Sequence, residues 1–132
     1  NRAHFCRAVL ESICFQMTDL LRAMTKDSNI ILSELRVDGG ASVSNIMMQI
    51  QADLIRTVVN RPKTVETTAL GAAYLAGLCV GMWKTPEEIE KNREVEKVFI
   101  PKMDKKVRDK LCEDWKRAVE RSRNWAQEDD FD

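Results

Sequence analysis

The chain of 132 residues has no excess of either charge, since 21 lysines and arginines face 21 aspartates and glutamates. A protein that holds nucleic acid by its phosphates needs a basic surplus, so the balance argues against that class of partner. The four cysteines, Cys6, Cys14, Cys79 and Cys112, form no Cys-x-x-Cys pair, and the single histidine is His4. These absences argue against a structural zinc site. So few cysteines in a helix-rich chain also make a poor disulfide framework, and the reading is reduced thiols in a cytoplasmic protein. No run of about eighteen apolar residues occurs, so no membrane span is expected. No signal-peptide pattern opens the chain, and no internal repeat is present. Neither the GxGxxG nor the GxxxxGK[ST] phosphate-binding pattern occurs. His4 has no neighbour in sequence to orient it, so it reads as a helix-surface or interface residue rather than a general base.

What is present is a punctuated stretch, Leu35-Arg36-Val37-Asp38-Gly39-Gly40-Ala41-Ser42-Val43-Ser44-Asn45, followed by a helical pattern. An apolar run stops at Asp38 and two glycines follow, which reads as strand, tight turn and helix N-terminus. Two adjacent glycines remove every Cβ from the turn and leave backbone against which a ligand can lie. The helix behind would offer unpaired N–H groups and a partial positive charge, both suited to phosphate. Ser42 or Ser44 would cap it. The same three residues also make an ordinary turn, so the stretch alone does not define a site.

The remaining pattern is helix-rich. Residues 2–25 form a helix, with Phe5, Val9, Ile13, Gln16, Leu20 and Met24 as its core stripe. Lys26-Asp27-Ser28-Asn29 reads as a polar turn. Ile30-Ile31-Leu32 docks before a turn at Ser33-Glu34, and Leu35-Arg36-Val37 is the strand. Residues 44–55 make the second helix, with Met47 and Met48 as core filling. Residues 56–62 form a β-branched second strand stopped by Pro62, and a strand–helix–strand unit of this length predicts a parallel pair. The third helix, Thr64 to Met82, is poor in bulk: Ala69, Gly71, Ala72, Ala73, Ala76, Gly77 and Gly81. Thr67 or Thr68 would cap it, the other reading being a contact to a partner domain or a nucleotide. Thr85-Pro86-Glu87-Glu88 starts a short helix. Residues 95–101 supply an edge strand or extended arm, and Lys105 to Ala126 a last helix with Val107, Leu111, Trp115, Val119 and Trp125 on one face. Residues 127–132 are a frayed acidic tail. The expected fold is helix-rich α/β with an incomplete sheet, whose apolar stripes need partners that the chain does not supply.

The segments Val37-Asp38-Gly39-Gly40-Ala41, Met48-Gln49-Ile50-Gln51-Ala52-Asp53, Arg61-Pro62 and Glu66-Thr67-Thr68-Ala69-Leu70-Gly71-Ala72-Ala73-Tyr74-Leu75-Ala76-Gly77-Leu78 occur in this order. Together they resemble the C-terminal portion of the sugar and polyol kinases, in the glycerol kinase branch, with xylulose and ribulose kinases looser matches. The resemblance runs from Arg2 to Trp125. It implies the actin-like ATPase (ribonuclease H-like) fold, with residues 1–126 as the C-terminal portion of the nucleotide-binding lobe. It implies ATP or ADP with Mg2+ as cofactors and phosphoryl transfer to glycerol, giving glycerol 3-phosphate. In such kinases the second glycine, here Gly40, approaches the nucleotide. The cofactor-binding set it implies is Gly39, Gly40, Ala41, Ser44 and Asn45. The family's usual adenine-side asparagine aligns with Ser44, so either Ser44 substitutes or Asn45 reaches in. The small-residue helix would pack near the hinge between lobes. Asp38 is read as a turn former or a water-mediated metal contact, and Asp53 as a helix-surface or interface group. No catalytic residue is expected in this segment, because the family's base and glycerol-holding residues lie N-terminal to it. The implied partners are a missing N-terminal lobe of the same enzyme, glycerol as its substrate, and further copies in a homo-oligomer. The chain is expected to be about the last quarter of such an enzyme and inactive alone. Another polyol or ketose as substrate, and a stand-alone nucleotide-binding or interaction module, remain the alternative readings.

Overall fold

The computed structural model describes residues 1–91 and 93–124, in two compact units divided at Pro101/Lys102. The first unit contains helix α1 (Arg2–Ser28), strand β1 (Glu34–Arg36), a 3-10 turn (Gly40–Val43), α2 (Asn45–Ile55), β2 (Val58–Pro62), α3 (Thr67–Cys79), α4 (Pro86–Glu90) and β3 (Val95–Phe99). The second contains α5 (Lys105–Ser122), whose first turn is capped by the Asp104 carboxylate accepting from the Lys106 and Val107 amides. On α5, Val107 and Val119 of the expected apolar face are exposed. Trp125, Ala126 and the acidic tail 127–132 lie outside the described residues.

α1 is capped by Asn1, whose side chain accepts from the His4 amide. It continues through Lys26, Asp27 and Ser28, which the sequence suggested as a turn. The helix ends only at Asn29, which adopts the left-handed conformation (φ 56°) and donates its N–H to the Thr25 carbonyl. Asparagine tolerates that conformation as a helix stop. The face α1 buries is also not the expected one. Cys14, Phe15 and Thr18 are buried, whereas Phe5, Val9, Ile13, Gln16, Leu20 and Met24 are exposed, Phe5 at 73%. The buried strip meets α2. There the Thr18 hydroxyl donates to the Cys14 carbonyl at 2.7 Å and accepts from the Gln51 amide at 3.3 Å. Both side chains are almost fully enclosed, so each polar group needs this partner.

The three-stranded sheet has the order β1-β2-β3. β1 and β2 run parallel, with Leu35 opposite Val59, as the strand–helix–strand spacing predicts. β2 and β3 run antiparallel, with Val59 opposite Phe99 and a register irregularity at Arg61/Pro62. Proline has no N–H for the ladder, and irregularities are where strands accept it. Ile30 and Ile31 join no strand and are 69% and 87% exposed, while Glu34, expected in a turn, opens β1. Arg56 and Thr57 precede β2 rather than belonging to it, because Arg56 ends α2 in the left-handed conformation. Residues 95–99 do form an edge strand. The core gathers Met47, Met48, Ile50, Ala52 and Leu54 of α2 with Val59 and Phe99 of the sheet. The two methionines are core filling, as expected. Asp53 is buried rather than at the helix surface, accepting from the Gln49 amide at 3.1 Å.

α3 is shorter than the pattern suggested, and its small residues have more than one reason. Gly77 lies directly under the indole of Trp83, where any Cβ would overlap the ring. Tyr74 meets the same indole edge to face, with ring centres 5.4 Å apart. Gly71 instead faces open space. On α4, Thr85 makes no side-chain bond to a backbone amide. Its hydroxyl bonds the Glu87 carboxylate and lowers that group's pKa, while Glu88 accepts from the Lys84 amide at 2.9 Å.

All four cysteines are free thiols, Cys14 and Cys112 buried and Cys6 and Cys79 exposed. Burial, reinforced by the nearby Glu11 carboxylate, raises the Cys14 pKa from 9.0 to about 11. The thiolate is the reactive form, so Cys14 is expected to resist iodoacetamide at pH 8 in the folded protein and to react after denaturation. Mass spectrometry of alkylated peptides checks this. The unfolded thiol ionises from pH 9 while the folded one stays protonated to about 11. Its contribution to stability is therefore complete below pH 9 and is lost as pH rises between those values.

Candidate functional site

The Asp38–Asn45 segment starts at the carboxyl end of β1, the usual ligand end of a strand in an open α/β sheet. The Val37 amide still joins the ladder, donating to the Asn60 carbonyl at 3.2 Å. Then the chain breaks away at Gly39, with φ 73° and ψ 177°. That backbone region is essentially reserved for glycine. The Gly39 amide donates to the Val65 carbonyl at 3.0 Å, and the Gly39 carbonyl accepts both the Ser42 amide at 3.1 Å and the Ser42 hydroxyl at 2.7 Å. Beyond the local backbone and the adjoining residues, no atom lies within 4 Å of where a Cβ on Gly39 or Gly40 would stand. The protein itself leaves that space open.

The sequence placed a helix N-terminus straight after the glycines. A 3-10 turn intervenes, and α2 begins five residues further on. The α2 dipole therefore acts at Ser44–Asn45 rather than at Gly39, since such fields fade within a turn. Of the two capping candidates, Ser44 is the cap, its hydroxyl oxygen accepting from the Met47 amide at 3.3 Å. Ser42 is buried and serves the glycine turn. Gly40, Ala41 and Asn45 are exposed along one stretch, and Ser44 is half-buried between them.

Asp38 is exposed and accepts a hydrogen bond from the Thr67 hydroxyl at the start of α3. Neither Thr67 nor Thr68 caps that helix, because no side chain does. Thr67 ties α3 to the glycine turn instead. Among the described residues no three histidine, cysteine, aspartate or glutamate side chains form a ready metal cage.

The residue that composition and spacing did not single out is Arg61 on β2. It is 4% exposed, and all five of its N–H groups are used. Nε and Nη2 reach the Glu96 carboxylate at 2.8 and 3.2 Å. Nη1 donates to the carbonyls of Ser42 at 2.7 Å and Val43 at 3.0 Å. Nη2 also donates to Asn45 Oδ1 at 3.0 Å, and the guanidinium lies 5.4 Å from the Phe99 ring centre. One signal was available: an arginine at an inward strand position beside a proline, with a glutamate in the next strand.

Beside the turn, a cavity of about 760 Å3 opens among the ends of the strands, α3 and α4, with Thr67, Gly71, Tyr74 and Ile89 in its wall. Charged groups at its rim pair with one another. Arg36 bonds Glu34 and Glu90, and Lys63 bonds Glu94 at 2.7 Å. The arginine lowers the Glu34 pKa and the lysine lowers that of Glu94.

A short parallel pair with a glycine break at its carboxyl end defines an α/β protein with an open stretch of backbone at that end. Residues 1–79 match the FGGY family of carbohydrate kinases, C-terminal domain. The chain belongs to this family, and its incomplete mixed sheet is that of an actin-like ATPase domain. It is 55% identical over 128 residues to a glycerol kinase of Thermoanaerobacter sp. (strain X514), covering 97% of this chain and 26% of that protein. Among solved structures it is similar to Plasmodium falciparum glycerol kinase with ADP, at TM-score 0.84 and 40% identity over 93% of this chain and 25% of that one. Xylulose kinase from Lactobacillus acidophilus shares the fold at TM-score 0.80 and 22% identity, covering 94% of this chain and 25% of that one. The chain thus spans about a quarter of the length of the relatives it matches. No helix among the described residues is long and apolar enough to cross a membrane.

Proposed function

We propose that this chain is the C-terminal nucleotide-binding part of an ATP-dependent glycerol kinase, which in its complete form transfers the γ-phosphoryl of ATP to glycerol. The observation that carries the reading is the Gly39-Gly40 backbone, bare of neighbours at the carboxyl end of β1. Gly39, Gly40 and Ala41 would lie against the nucleotide, with Ser44 and Asn45 on its adenine side. Ser44 holds the Met47 amide through its oxygen and keeps its O–H for donation. Asn45 gives its oxygen to Arg61 and keeps its amide N–H groups. Both side chains can therefore donate, which fits the acceptor nitrogens of an adenine ring. The identity to glycerol kinases supports glycerol over a ketose.

Phosphoryl transfer depends on positioning and charge neutralisation more than on covalent chemistry of the protein. The lobe N-terminal to this segment would supply the base and the glycerol contacts. Mg2+, when bound, would neutralise the phosphates, and it is ordinarily held by one or two carboxylates and phosphate oxygens rather than a full protein cage. Asp38 is the exposed carboxylate suited to a water-mediated contact. The same reading includes a cytoplasmic setting and a homo-oligomer.

The test is phosphorylation by the complete kinase, with glycerol and xylulose offered in parallel. Glycerol 3-phosphate formation with glycerol strongly preferred is the expected result. Preference for xylulose would overturn the glycerol assignment. ATP binding with no turnover of either would favour the module reading.

A further inference from the structure

We infer that Arg61 is a positioning residue for the nucleotide, holding the backbone after Gly40-Ala41 and the Asn45 side chain in one fixed arrangement; the inference rests on the nucleotide reading of the turn. The bonds that the segment makes for itself hold its two ends, at Asp38–Gly39 and at Ser44. Its 3-10 turn is four residues long and has no side-chain cap, and Ala41, Val43 and Asn45 are exposed. Arg61 ties the residues between those two ends to the sheet. Its guanidinium grips two successive carbonyls, Ser42 and Val43, and one side-chain oxygen, Asn45 Oδ1. Glu96 on β3 holds the other edge of the fork. The five donors are fixed in a plane, so moving the fork moves every contact together.

Lysine cannot reproduce this. It keeps the charge but concentrates its donors on one atom, without the planar fork. Arg61→Lys is therefore expected to leave Asn45 and one loop carbonyl unheld. In the complete kinase the KM for ATP should rise about ten-fold, the scale of one or two charge-assisted hydrogen bonds, with kcat and the KM for glycerol within about two-fold of the parent. Arginine that merely supported the fold would behave otherwise. Its loss would reduce the active fraction, lowering kcat with both KM values unchanged.

Two companions complete the experiment. Glu96→Gln keeps the shape and an acceptor oxygen but loosens the fork, and its KM for ATP should rise about three-fold. It decides the question if Arg61→Lys does not fold. Gly40→Val places a side chain in open space, so it obstructs the nucleotide without disturbing the chain. If Gly40→Val raises the KM for ATP while the Arg61 and Glu96 variants leave it unchanged, the positioning role is overturned and the nucleotide site stands. If Gly40→Val also leaves it unchanged, the nucleotide reading falls and the positioning role falls with it.

Discussion

Gly39→Val is expected to damage the protein twice, and the two effects can be measured separately. The first is conformational. Gly39 sits at φ 73° and ψ 177°, a region that costs a side-chain-bearing residue about 1–3 kcal/mol even in open space. Valine, branched at Cβ, belongs at the upper end. The unfolding midpoint should fall accordingly, with no core contact altered, because no atom beyond the local backbone and the adjoining residues stands within 4 Å of the added Cβ. The second effect is on the ligand. A side chain would fill the open space at the turn, and nucleotide affinity should fall by more than the stability change accounts for. Gly40 has no positive φ, so Gly40→Val should show the affinity loss with little change in midpoint. Equal midpoints for the two valine variants would contradict the strain argument.

The second large effect is expected at Leu54. Its side chain is 2% exposed in the core that α2 shares with the sheet. Truncation of a buried leucine to alanine costs about 2–5 kcal/mol, as lost transfer energy plus a cavity that neighbours only partly close. The Leu54 site should lie in the upper half of that range, because the side chain is almost fully enclosed and belongs to the same buried core as Met48, Ile50 and Val59. Leu54→Met conserves volume and should cost less than about 1.5 kcal/mol. Urea midpoints for the two variants give the comparison. A cost for alanine below that for methionine would mean that α2 is not the central core element.

The legible part of the fold was the part governed by local periodicity and turn chemistry. The parallel pair around α2 and the helix from Lys105 follow from patterns within one or two elements, while residues 95–101 left an edge strand and an extended arm both open. The errors share a cause. Phe5, Val9, Ile13 and Leu20 recur at helical spacing, yet the buried face of α1 turns on Cys14, Phe15 and Thr18. A mean apolar stripe does not say which side meets α2 when several sides are apolar. Ile30 and Ile31 read as a docked apolar run before β1, yet both are largely exposed. Within the site, the glycines announced the turn, and the sequence left the cap between Ser42 and Ser44. The 3-10 insertion was not visible, since Ala41, Ser42 and Val43 fit either helix type. Arg61 was hidden because its role depends on Glu96, 35 residues later, and on carbonyl oxygens that carry no sequence signature.

The Arg61 fork also sets how the glycine segment opens. Surface loops ordinarily exchange amide hydrogens by fraying, independently of the sheet beneath them. Here the carbonyls of Ser42 and Val43 are fastened to β2 and, through Glu96, to β3. To lift away, the loop must release a guanidinium three of whose donors would lose their partners in a buried site. Opening thus leaves a buried arginine of β2 short of partners. The closed loop is therefore held by the strand beneath it as well as by its own bonds.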